Sequence, residues 1–406
     1  MLSDLLVLDL SRVLAGPYCT QLLADLGARV IKVESFNGDE TRHWGPPYLE
    51  GESGYYLSIN RGKEGMVVDF KDPRGRAIIE KLASKADVLV ENFKVGDLER
   101  FGLDYASLAA SNPGLVYLSI TGFGQTGPRA REAGYDAALQ AQSGLLAMSG
   151  EPNGRPVKTP VAFIDVMTGL HGAVGVLAAL HERGRTGVGA HIDLSLFDVA
   201  LAGMVNQTQG AILTGEPPVR LGSAHPNIVP YQAFDAADGA VVLAVGNDAQ
   251  FAKLCGVLGI PERATDVRFS TNGARVQNRA ELVAELQGLT SAWTRSELLA
   301  ACASVGVPAT AVLTLPEALR DVQAGARGSI VSGNHPSIGE LEMVASPLWH
   351  VSRPDGTRAS EVPARGEAAV PPRMGEHTRR VLSLDLALTE DEIDALLADG
   401  VIGAVA

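Results

Sequence analysis

The chain has 406 residues, 46% hydrophobic and 20% charged, with a formal net charge of −13. Such a composition lets a globular protein bury sizeable cores, and the negative sign argues against a nucleic-acid binder while leaving room for anionic small ligands at local arginine clusters. The three cysteines, Cys19, Cys255 and Cys302, are far apart and form no CxxC pair, which argues against a disulfide framework or a zinc site and fits a reducing cytoplasm.

In chain order, MLSDLLVLDLSR carries aspartates within its apolar stretch and no basic leader, so LLVLDL (5–10) reads as a buried strand rather than a signal peptide. PYCTQLLADLG (17–27) predicts a helix with proline in its first turn, and ARVIKVE (28–34) the next strand. A helix over 73–86 and strands over 87–93 and 115–121 follow. These strands are apolar on both faces, as buried parallel strands are, and their alternation with helices predicts an open α/β sheet.

FIDVMTGLHGAVGVLAAL (163–180) predicts an apolar helix with one acidic residue, Asp165, in front of it. The longest apolar run, 166–180, is too short to span a bilayer and contains His171, so no membrane partner is expected. HIDLSLFDVALAGMV (191–205) continues the α/β pattern. After about Gly210 the pattern changes: 230–245 predicts a hairpin turning at Ala-Asp-Gly, and helical stretches follow, broken by Pro261 and Pro308. Strands return from about Gly328, and a loop over 353–373 leads to two closing helices. The expected architecture is a large open α/β domain in two parts (1–224 and 326–406) with a smaller α+β domain inserted at 225–325.

GFGQTG (122–127) matches a dinucleotide fingerprint, but Pro128 follows at once and no helix opens there, so a turn-rich loop is expected. Walker, HExxH and GxSxG motifs are absent, and the eight histidines form no spaced ligand pair, so no metal is expected. Asp165 can be read as a helix cap or as a nucleophile at a helix mouth. Gly169, Gly172 and Gly175 share one helix face, which suggests close approach of a ligand, another backbone or a neighbouring helix.

Taken together, LDLSRVLAGPYCTQLLADLGARVIKVE, GDETR, NRGKEGMVVDFKDPRGR, ADVLVENFKVGDLERFGLDY, LSITGFGQTGP, GYDAALQAQSGLLAMSG, the Asp165 segment, GRTGVGAHIDLSLFDVAL and GEHTRRVL come in an order that resembles the family III CoA-transferases, whose fold the α-methylacyl-CoA racemases share. The resemblance implies a large domain with a Rossmann-like sheet built from both chain ends, an interlocked homodimer, and coenzyme A or an acyl-CoA as substrate, with no permanently bound cofactor. It implies that Asp165 attacks the donor thioester, forming first an acyl–aspartyl anhydride and then an aspartyl-CoA thioester. It places Val68, Asp69, Phe70 and Lys71, with Asn92, Phe93 and Lys94, at the nucleotide end of CoA, and Arg100 on a phosphate. Arg12, Leu14 and Ala15 would lie along the pantetheine and the acyl group. It places Ala133, Gly134 and Asp136 against the CoA, with the Tyr135 hydroxyl on the substrate carboxylate.

In the racemase branch a histidine precedes the aspartate of the AGxD segment. Tyr135 stands there instead, and a phenol with a pKa of about 10 is a poor base at neutral pH, which favours transfer over racemisation. An inactive CoA-binding protein is the non-enzymatic reading. Three departures from formyl-CoA transferase point away from formate and oxalate and toward larger dicarboxylates such as succinate. Leu14 replaces a glutamine, Ser35-Phe36 stand where an arginine is expected (Arg42 is the candidate substitute), and the glycine run over the site is absent, with 222–227, including His225, as the candidate replacement.

Overall fold

The computed structural model describes residues 1–355 and 357–405; Gly356, within the loop expected at 353–373, lies outside the described residues. The chain divides into two compact units, one of Met1–Ser143, Thr159–Leu213 and Val322–Ala406, the other of Gly144–Lys158 and Thr214–Asp321. The second unit takes in 144–158 and 214–224 and ends at Asp321, so 322–325 of the insertion expected at 225–325 fall in the first unit. A helical hydrophobic pattern does not reveal that a remote loop packs with the insertion.

The large unit is organised by β1 (Leu6–Asp9), β2 (Arg29–Glu34), β3 (Lys63–Val68), β4 (Val88–Glu91), β5 (Val116–Thr121), β6 (Ala190–Ser195) and the short β7 (Ile402–Gly403). Their spatial order is β7-β3-β2-β1-β4-β5-β6, parallel except for β7, which runs antiparallel against β3. Val7 pairs with Val30 on one side and Val88 on the other, so β1 is central, and Val7, Leu8 and Asp9 are buried. Because the chain builds outward from β1 to β2 and β3, then returns to place β4 on the other side, the switch point lies between β1 and β4. Ligands of open α/β sheets bind beyond the strand carboxyl ends at that point.

Seven helices of this unit matter below: α1 (Ala15–Asp25), α2 (Pro73–Ala83), α3 (Asp136–Gln142), α4 (Phe163–Thr186), α5 (Leu196–Gly203), α6 (Thr378–Leu386) and α7 (Glu390–Ala398). Asp72 caps α2 by accepting the Arg74 amide at 2.8 Å, with Pro73 in the first turn, and Thr389 with Glu392 forms a capping box on α7. Ile78, Ile79 and Leu82 of α2 share one buried cluster with Val381, Leu382, Ile393, Val401 and Ile402, so both chain ends build the same core.

Helix α4 has 24 residues, and by length and composition it is apolar enough to cross a membrane, which the count of 166–180 understated. Its glycine stripe faces its own chain. A Cβ at Gly169 would stand 2.8 Å from the Ala15 carbonyl oxygen, and one at Gly172 3.0 Å from Leu118 and 3.2 Å from Cys19 Sγ. Tight intrachain packing therefore accounts for these two glycines, and it draws the first turn of α1 against the start of α4.

The small unit has an antiparallel sheet of Tyr231–Ala236, Gly239–Ala244 and Ala309–Ala311 packed with helices around Phe234, Leu243, Phe251, Leu254 and Leu286. The hairpin turns at Ala237-Asp238, as expected.

Candidate active site

A cavity of about 220 Å³ opens at the carboxyl ends of β1, β4, β5 and β6. The loop after β1 contributes Arg12, Val13, Leu14 and Ala15; the loop after β4 contributes Asn92, Phe93, Lys94, Val95 and Asp97. Ala133, Gly134 and Tyr135 close one side, and Asp165 lies on the lining. The loops after β1 and β4 are sewn together across the switch point: the Arg12 amide donates to Asn92 Oδ1 at 2.9 Å, and Asn92 Nδ2 donates to the Arg12 carbonyl at 2.7 Å. Glu91, buried at the end of β4, accepts the Phe93 amide at 2.7 Å, and burial pushes its carboxyl up to about 7.

Asp165 is the third residue of α4, not its cap. The N-cap position belongs to Ala162, which makes no side-chain cap. The cap comes from Asp136, the first residue of α3: its Oδ2 accepts the Ile164 amide at 2.8 Å and the Asp165 amide at 3.2 Å, while Gln140 Nε2 donates to its Oδ1 at 2.6 Å. Asp136 is buried and absent from the cavity lining, so its expected contact with CoA gives way to a structural one. With these amides taken, the helix start does not hold Asp165 as a free anion. Burial, and then the Asp136 charge, push its carboxyl up to about 7. At neutral pH it is thus partly ionised and more basic than an exposed aspartate, and basicity raises the nucleophilicity of the ionised fraction.

Other expected residues stand elsewhere. Val68 is fully buried in β3, and Phe70 packs edge-on to Phe93 at 5.9 Å and Phe101 at 5.4 Å, one ring back from the cavity. Asp69 accepts the Lys71 amide at 3.0 Å in the turn before α2; neither residue lines the cavity. Arg100 pairs with Asp97 at 2.7 Å, outside the lining. His225 belongs to the small unit, stacked on Tyr231 with ring centroids 5.4 Å apart. Arg42 is a buried partner of Glu34 at 2.7 Å and lies over Tyr56, so its guanidinium is committed to the protein.

Several lining residues were not foreseen: Val13, Glu40, Thr121, Gly122, Glu132 and Leu196. Gly122 opens the loop whose glycine pattern resembled a dinucleotide motif. A Cβ there would come within 2.7 Å of Gly134 Cα, so the glycine lets the segment before Tyr135 cross close over the end of β5. Tyr55 is a further omission. Burial, and then the Asp165 charge, raise its phenol to about 12, which places it in the field of that carboxylate. Only tertiary proximity reveals it. Among the described residues, no group of His, Cys, Asp and Glu is arranged to hold a metal.

Arg12 pairs with Glu40 at 2.6 Å and lies over the Phe93 ring at 5.2 Å, while Lys94 has no side-chain partner among the described residues. Two cations and a ring at the mouth of a cleft suit an anionic, aromatic-bearing ligand. The first turn of α1, which lacks a side-chain cap, adds backbone donors near Ala15.

Comparison with known proteins agrees with this geometry. The family model described as CoA-transferase family III matches residues 2–378. A succinate–glutarate CoA-transferase from Agrobacterium fabrum is 44% identical, over 94% of this chain and 95% of its own. An acetyl-CoA:oxalate CoA-transferase from Acetobacter aceti is 42% identical over 80% of this chain and 84% of its own. The crystal structure of a CaiB/BaiF family protein from Brucella suis superimposes with a TM-score of 0.81 at 42% identity, covering 95% of this chain and 99% of that one. The chain belongs to the family III CoA-transferases and is a transferase that uses acyl-CoA as substrate.

Proposed function

We propose that the enzyme moves CoA between C4–C5 dicarboxylates, with a succinyl-CoA donor and a glutarate-length acceptor, through covalent intermediates on Asp165. A carboxylate oxygen of Asp165 attacks the thioester carbon, the C–S bond breaks, and CoA leaves as thiolate. The thiolate attacks the aspartyl carbonyl and releases the donor acid, which carries off the attacking oxygen. The acceptor carboxylate then attacks the aspartyl-CoA carbonyl and expels the thiolate. Attack of the thiolate on the acceptor acyl carbon gives the new thioester and frees Asp165. Each step exchanges one activated acyl bond for another, so no external energy source is needed. Holding the groups together can supply about 7–11 kcal/mol of the barrier.

The observation that carries this reading is a partly buried carboxylate of raised pKa, on the lining of a cavity at the switch point, near the uncapped start of α1. Racemisation needs acid–base groups on both faces of the α-carbon. Here Tyr135 occupies the position of the first, and Asp136 is engaged by the α4 amides. The name of the Agrobacterium relative supports the dicarboxylate assignment; that of the Acetobacter relative makes oxalate the competing acceptor. The exposed apolar residues Leu170 and Val174 on α4 support an assembly with a second copy, and the three buried, unpaired cysteines support a cytoplasmic location.

The test is a panel of acyl-CoA donors and acids, oxalate and formate included, read by mass spectrometry with ¹⁸O in the acceptor carboxylate. Label should pass to the Asp165 peptide and then into released succinate. Product formation with no label at either place would overturn the covalent path, and a preference for oxalate would overturn the substrate assignment.

A further inference from the structure

The loop carrying Arg12, Val13, Leu14 and Ala15 is strained. Val13 has φ of +70°, a left-handed conformation that a β-branched residue strongly disfavours. Something must hold it there, and the holders are buried charges. Asp39 and Lys32 are both inaccessible to solvent and pair at 2.9 Å. Both carboxylate oxygens of Asp39 also accept the Val13 amide, at 3.3 Å. Lys32 Nζ donates to the Ser11 carbonyl at 3.0 Å, so the same pair grips the loop on either side of Arg12. The Thr41 amide and hydroxyl, at 3.0 and 2.8 Å, complete the shell of Asp39 and fix its orientation. On the far side, Asn92 binds both the amide and the carbonyl of Arg12. A surface loop would not require a fully desolvated ion pair, which is costly unless its hydrogen bonds are satisfied. Here they are shared between Thr41 and the loop that lines the cavity, through the Val13 amide and the Ser11 carbonyl.

We propose that the buried Lys32–Asp39 pair is a positioning device for the reaction: it imposes the left-handed Val13 conformation and so sets the placement of Leu14, Ala15 and the first turn of α1 at the Asp165 cavity. The proposal rests on Asp165 being the reacting group, but its test does not depend on which acid is the acceptor. Neither residue lines the cavity, so both act through the loop.

The test uses the intact chain, with succinyl-CoA as donor, and separates kcat from KM. Asp39→Asn weakens the grip on the Val13 amide. Its kcat should fall about 10- to 100-fold, the scale of a small misplacement of reacting groups, while KM for the acyl-CoA changes less than about threefold. Adding Val13→Gly to that background should restore kcat by about threefold or more, because glycine adopts φ of +70° unaided. A merely structural role predicts a lower Tm with no such recovery. Asp39→Glu keeps the charge on Lys32 but displaces the oxygens; it covers the case in which Asp39→Asn does not fold, and it should show the same loss and the same rescue. The proposal is overturned if the folded Asp39 variants keep kcat within about twofold of the parent, or if Val13→Gly brings no recovery. A fully active Asp165→Asn enzyme would instead defeat the catalytic reading, and the two failures are distinct.

Discussion

Asp136 Oδ2 accepts the backbone amide of Asp165 at 3.2 Å, so one acidic side chain caps the helix on which the other stands. The arrangement orients the start of α4 and keeps a like charge beside the Asp165 carboxylate. Asp136 thereby helps to place Asp165 and adds to the effect of burial on its ionisation.

Replacing Asp165 by Asn or Ala should lower kcat by at least about 10³-fold, since the proposed anhydride forms on its carboxylate; near-normal turnover would shift the role to another carboxylate of the lining, Glu40, Asp97 or Glu132. The folded state should persist. The folded pKa of Asp165 is raised to about 7, so the stability it contributes is fully present below the unfolded value and is lost as pH rises toward and through 7. Asp165→Asn should therefore have a higher Tm than the parent at pH 8, with the difference vanishing near pH 4. Differential scanning calorimetry at the two pH values checks this.

The acid limb of kcat/KM should fall near pH 7, where Asp165 of the free enzyme ionises. Asp136→Asn removes the neighbouring negative charge and leaves an oxygen able to accept the α4 amides. The limb should move to lower pH, although burial keeps it above the range of an exposed aspartate. An unchanged limb would assign it to another group. Asp136→Ala removes the cap as well and should cost about 1 kcal/mol of stability.

Gly169→Ala and Gly175→Ala should part company. A Cβ at Gly169 meets the Ala15 carbonyl oxygen at 2.8 Å, a backbone atom that cannot rotate away, whereas at Gly175 the nearest atom is an Ile192 methyl at 3.5 Å. The first change should cost about 1–3 kcal/mol and lower kcat by shifting α1 against α4. The second should be neutral or stabilising by up to about 1 kcal/mol, from helix propensity. Chemical denaturation of both variants decides it.

Lys94→Ala should raise KM for acyl-CoA about tenfold while leaving kcat within about threefold, as loss of one charge-assisted contact to a phosphate would do. The effect should shrink as ionic strength rises. A selective fall in kcat would place Lys94 at the reacting end instead.

The sequence by itself determined the sheet and the family, and it singled out the aspartate to which we assign the chemistry. Strands buried on both faces are written mostly in apolar residues, and the ordered motifs of the loops are local in the chain. Arg12, Leu14, Ala15, Asn92, Phe93, Lys94, Ala133, Gly134 and Tyr135 could be named from those motifs, and the structure gathers them around one cavity. Only the tertiary structure decided that Asp136 caps the helix of Asp165, that Arg42 is spent on Glu34, that Gly122 makes room for Gly134, and that a buried Lys32–Asp39 pair holds a strained Val13. Each of these joins groups far apart in the chain or turns on how deeply a charge is buried. Periodicity reports which face of a segment is apolar; it carries no information on which distant carboxylate, amide or cation will meet there.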